Sequence, residues 1–143
     1  MCERFTQLTA LEAAIAEALH KAPAAAKALG KVGKDYDARQ HRAAYSLGGR
    51  IDAGEIFADR DLDDLTALLK PIISEIEAGW VTEVIADEHC MSGSWFNHRL
   101  TDQAAELKEE IAPLVNLHHA LTRVRNLRRA EHIAAKMSCD FNA

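Results

Sequence analysis

Residues 61–79 read DLDDLTALLKPIISEIEAG, and Leu62, Leu65, Leu69, Ile72 and Ile76 step through them by 3, 4, 3 and 4 positions. With Leu68 and Ile73 widening the row, this is the apolar stripe of one helix, and that stripe has to be buried against something. Asp61, Asp63 and Asp64 fall in the expected first turn, where carboxylates favour the helix dipole. Pro71 lies mid-pattern and is expected to kink or split the helix, because proline removes a backbone donor and clashes with the preceding turn. Gly79 marks an end or a bend. After it, residues 80–89 (WVTEVIADEH) space Val81, Val84 and Ile85 for a further helix.

Outward from this core element the chain keeps reading as helix. In residues 6–22 (TQLTALEAAIAEALHKA) Leu8, Leu11, Ile15 and Leu19 share a helical face, and Thr9 with Glu12 forms a capping-box pattern. Pro23 is expected to open a second short piece that stops at Gly30. Residues 35–47 carry helix formers behind a candidate Asp35 cap and end at Gly48 and Gly49. Residues 91–100, MSGSWFNHRL, read as the one substantial loop. Thr101 caps the next helix, with Leu107, Ile111 and Leu114 inward, and Pro113 predicts another kink or junction. No segment alternates apolar and polar residues over strand length. The expected fold is all-α: a single compact domain over 1–143, a bundle of five to eight helical pieces with kinks or junctions at Pro23, Pro71 and Pro113.

Composition fits a folded globular chain. The 143 residues are 48% hydrophobic and 27% charged, long enough to bury a core without disulfides or metal. No uncharged apolar run reaches membrane-spanning length, so no membrane partner is expected. The opening MCERFTQL lacks an apolar leader, and Cys2, Cys90 and Cys139 form no disulfide pattern. Both observations point to the cytoplasm. The net charge of −5 argues against coating nucleic acid non-specifically.

The charge is uneven. Residues 51–90 carry eleven acids against Arg60 and Lys70, a balance of −9, whereas residues 115–137 carry Arg123, Arg125, Arg128, Arg129 and Lys136 against Glu131, a balance of +4. On a helical projection Leu117, Ala120, Leu121, Val124 and Leu127 form one apolar face, and His118, Thr122, Arg125, Arg129, His132 and Lys136 a basic ridge. After Leu127 the apolar direction swings to Ala130, Ile133, Ala134 and Met137, which suggests a second packing partner or a helix end near 130. The ridge is open to three readings: a face that is solvated or paired with the acidic region, a phosphate-binding surface, or a metal site. Metal fits worst, because the histidine and cysteine intervals match no zinc pattern and only Glu17–His20 has the spacing of a di-iron half-motif. No metal and no cofactor is expected.

His89, Cys90 and His98 flank the 91–100 loop without any nucleophile signature, and no phosphate-binding loop, zinc-protease or hydrolase motif is present. The sequence therefore predicts a non-enzymatic interaction protein, a regulator or inhibitor. It is expected to bind a basic protein partner through an acidic surface of Asp59, Asp61, Asp63, Asp64, Glu75 and Glu77, with Trp95 and Phe96 as apolar anchors. Leu117, Leu121 and Val124 on the C-terminal helix are the expected homodimer surface. The alternative is a nucleic-acid-binding regulator using Arg125, Arg128, Arg129 and Lys136; a small-molecule-binding bundle is the third class.

Overall fold

The computed structural model describes residues 2–32, 38–55, 57–85 and 95–141. Four helices and a two-stranded ribbon follow one another as α1 (Cys2–Val32), α2 (Ala38–Asp52), α3 (Asp59–Ala78), β1 (Trp80–Ile85), β2 (Trp95–Leu100) and α4 (Asp102–Phe141). The helical expectation holds, and among the described residues four helices stand where five to eight pieces were expected. Pro23, Pro71 and Pro113 each lie inside one continuous helix, so none is a junction. The physical reason lies four residues upstream. The carbonyls that lose their partners belong to Leu19, Ala67 and Glu109, all exposed residues, where solvent can supply the missing donor. Thr9 sits within α1 and is no cap, and α2 runs through Gly48 and Gly49 to Asp52. The candidate cap Asp35 lies outside the described residues.

The ribbon is the other correction. Residues 80–85, expected as helix, and 95–100, expected as loop, pair antiparallel from Trp80↔Leu100 to Ile85↔Trp95. Five of the six residues in WVTEVI are aromatic or β-branched, and Gly79 stops α3 just before them, so strand propensity outweighs the helical spacing of three side chains. Gly79 is held in close quarters: a Cβ there would lie 2.3 Å from the Ala104 Cβ. Its carbonyl accepts from the Thr101 amide at 2.9 Å, which closes the base of the ribbon.

Helices α1 and α4 make the most extensive pairing, with α2 packed on α1 and α3 on α4. The long pair is antiparallel: Glu17 faces Arg123 towards one end, while Lys27 and Lys31 lie beside Glu106 and Glu110 at the other. The predicted stripe of α3 is the observed one, Leu62, Leu65, Leu69, Ile72 and Ile76 all being buried. The α4 start also follows the reading, since the Thr101 hydroxyl accepts from the Ala104 amide at 3.3 Å and Ile111 and Leu114 are buried. In α1 the expected face is rotated. Ala14, Ala18, Ala22, Ala25 and Ala28 enter the core with Leu29 and Val32, whereas Leu8 and Leu19 stay exposed. Small residues let the α1 and α4 backbones approach closely, so alanine occupies the central seam and leucine its edge. A second cluster of Val32, Ile72, Ile76 and Ile111, with Leu100 packed against it, seats the ribbon base.

Candidate functional site

A polar ladder runs along the seam between α3 and α4. Arg125 Nη1 donates to Asp63 Oδ1 at 3.0 Å, Arg128 Nη1 reaches the Phe57 carbonyl at 3.5 Å, and Thr66 Oγ1 lies 2.6 Å from His118 Nε2. Thr66 also donates its only hydroxyl proton to the Leu62 carbonyl at 2.8 Å. The His118 contact therefore uses Nε2 as donor, which fixes the neutral ring as the Nε2–H tautomer. Partial burial holds the His118 pKa below the usual histidine value, and His119 and Arg125 push it the same way. At the start of α3, Arg50 donates to Glu55 at 2.8 Å and to Asp61, with its guanidinium 5.4 Å from the centre of the Phe57 ring. The other Asp61 oxygen accepts from the Ala58 amide at 3.0 Å and caps the helix.

This ladder redistributes the predicted sites. Asp61 and Asp63 are engaged by Arg50 and Arg125 of their own chain. Asp59, Asp64, Glu75 and Glu77 are exposed and make no ion pair among the described residues. The six acids do not form one patch: at 100° per residue Asp59, Asp63 and Glu77 fall on one flank of α3 and Asp61, Asp64 and Glu75 on the other, roughly 150° apart. On the basic ridge Arg125 and Arg128 are engaged, and Arg129 and Lys136 remain exposed. Trp95 and Phe96 hold successive register positions opposite Ile85 and Val84.

The expected dimer stripe needs correction. Leu117, Leu121 and Val124 are buried in the core of their own chain, because α4 turns that face towards α1 and α3, and no surface remains there for a second subunit. Cys90 and His89 lie outside the described residues. Among those described, no group of three histidine, cysteine or carboxylate side chains is placed to hold a metal, and no helix is long and apolar enough to cross a membrane.

Two features escaped the sequence reading. Trp80 and Val81, at the base of the ribbon, are 53% and 38% exposed; the strand-forming run in which they sit was the available signal. An open groove of about 570 Å³ also separates Lys27 and Lys31 on α1 from Glu106, Glu109 and Glu110 on α4. By contrast, the apolar crevice beside Ile15, Leu19 and Phe57 holds about 10 Å³, the room of a single water. Compared with known proteins, the chain matches no family model, no curated protein and no solved structure.

Proposed function

We propose that the chain is a non-enzymatic protein-interaction module that holds a basic protein partner at the end of α3 and the base of the ribbon. The observation carrying this reading is Trp80, more than half exposed, directly after the helix turn that bears Glu75 and Glu77. That last turn contains no basic residue, although a helix C-terminus is negative and favours cations. Two carboxylates there leave a local excess of negative potential that a partner's lysine or arginine relieves. An exposed tryptophan two residues beyond the end of that helix supplies the apolar anchor that interface hot spots are built on, and the charge supplies steering and selectivity.

The test is affinity capture from the native cell's lysate, with and without nuclease, using the wild type, Trp80→Ala and the double variant Glu75→Lys/Glu77→Lys. One basic protein, captured stoichiometrically after nuclease and lost with both variants at unchanged far-UV circular dichroism, supports the reading. A partner retained by both variants refutes it. Capture of nucleic acid through Arg129 and Lys136 moves the function to the α4 ridge.

A further inference from the structure

The groove between α1 and α4 breaks the pattern of the seam it belongs to. Along α4 the row Glu106, Glu110, Pro113, Leu117, Leu121 and Val124 steps by 4, 3, 4, 4 and 3 positions, one continuous helical face. Its later members, Leu117, Leu121 and Val124, are buried in the core, whereas Glu106 and Glu110 are exposed, with Glu109 beside them on the same wall. On the opposite wall Ala24, Lys27, Ala28 and Lys31 also share one helical face, that of α1. The seam thus closes on leucine and alanine over most of its length and opens on charge at this end. About 570 Å³ lies between the walls, within the range of small-molecule sites. Carboxylates where the row calls for leucine forgo core area, and a local rule broken in this way is where function is expected.

The two walls have opposite signs and do not neutralise each other. Lys27, Lys31, Glu106, Glu109 and Glu110 are all exposed, and their side chains make no ion pair among the described residues. Nearby cations do not make up the difference. Lys21 is held by Glu17 at 3.0 Å, and Lys108 points roughly 150° round α4 from the acidic wall. Pro113 adds a further acceptor to that wall, because without its N–H the Glu109 carbonyl has no donor in the helix. A simple anion would be repelled by the carboxylates and a polyamine by the lysines. Among the described residues no three carboxylates are placed to hold a metal ion. We propose that the groove binds a dibasic amino acid, its carboxylate on Lys27 and Lys31 and its two cationic groups on Glu106 and Glu110. Those two carboxylates stand one helical turn apart, about 6 Å, a span that an extended basic side chain covers. The excess of carboxylates over ammonium groups selects a ligand with one net positive charge.

Isothermal titration calorimetry of the full chain with L-arginine tests this. The wild type is expected to bind one arginine per chain, saturably and more weakly as salt rises. Agmatine, the same molecule without the carboxylate, should bind the wild type about two- to fivefold more weakly. Lys27→Ala/Lys31→Ala should weaken arginine by a similar factor and leave agmatine no weaker, since only arginine has a group for the lysines. Glu106→Gln/Glu110→Gln should weaken both ligands. All four positions are exposed, so the helicity of these variants is expected to be unchanged. Glu75→Gln/Glu77→Gln, at the surface assigned above to a basic protein, should bind arginine as the wild type does, which separates the two sites. Should a groove variant lose helicity, the comparison of arginine with agmatine on the wild type decides. No saturable arginine binding by the wild type, agmatine binding as tightly as arginine, unchanged arginine affinity in either folded groove variant, or a loss in Glu75→Gln/Glu77→Gln overturns the proposal.

Discussion

Arg125 holds Asp63 across the α3–α4 seam at 3.0 Å through one terminal nitrogen, while its own Nε is buried without a hydrogen-bond partner. The pair is thus a compromise between an exposed carboxylate and a partly buried cation. Exposed pairs contribute about 0.2–1 kcal/mol, whereas a buried unsatisfied donor costs about 1–3 kcal/mol. Arg125→Met removes both and keeps an apolar stem against the seam. Its unfolding free energy in urea is expected to stay within about 1 kcal/mol of the wild type, and Asp63→Ala should lose less than about 1 kcal/mol. A loss of several kcal/mol in Arg125→Met would mean that the guanidinium holds the seam together.

Gly79 is required by contact, its φ of −80° being available to any residue. An added Cβ would stand 2.3 Å from the Ala104 Cβ and 3.2 Å from the Thr101 hydroxyl and the Ile76 carbonyl. Gly79→Ala is therefore expected to destabilise by about 1–3 kcal/mol, the usual penalty of overpacking. In a double-mutant cycle Ala104→Gly should recover part of that loss, because it removes the nearest clash. Chemical denaturation of the four proteins gives the coupling.

His118 gives the seam a pH dependence of defined sign. Its folded-state pKa lies below the usual value, chiefly through burial, so the unfolded chain binds this proton more readily. The stabilising contribution is complete above about pH 6.5, the ordinary histidine value, and is lost as pH falls from there towards the folded pKa. Thermal melts from pH 7.5 downwards should show Tm falling faster in the wild type than in His118→Gln, with the curves converging at the acid end. Parallel curves would remove His118 from the pH response.

Where a residue's fate depends on its own helix, the sequence carries it plainly. The α3 stripe and the Thr101 cap are local patterns, and both are realised. Where the fate depends on a neighbour, it is hidden. The prolines look like breaks because the pattern does not reveal that the orphaned carbonyls belong to exposed residues, and the ribbon was masked by three side chains at helical spacing. The acidic surface suffers most from this. Asp61 and Asp63 are acids of one local run, yet Arg50 and Arg125, which engage them, come from α2 and α4. The dimer stripe fails for the same reason, since Leu117, Leu121 and Val124 form an apolar face whose partner could be named only once α1 was in position.

The rotated face of α1 reverses the ordinary ranking of substitutions. A reading by hydrophobicity makes Leu19 a core residue and Ala25 a spacer. In the fold Ala25 is fully buried against its neighbours while Leu19 lies at the rim. Ala25→Leu must therefore force three extra carbons into a close helix–helix contact and is expected to cost about 1–3 kcal/mol or more. Leu19→Ala removes a partly solvated side chain and leaves no enclosed cavity, so its loss should stay near the low end, about 1 kcal/mol. Leu114→Ala, at a position with no exposure, should cost about 2–5 kcal/mol and calibrates the scale. Urea melts of the three variants rank them directly. If Leu19→Ala proves as damaging as Leu114→Ala, the leucine row belongs to the monomer core and the alanine seam is misassigned.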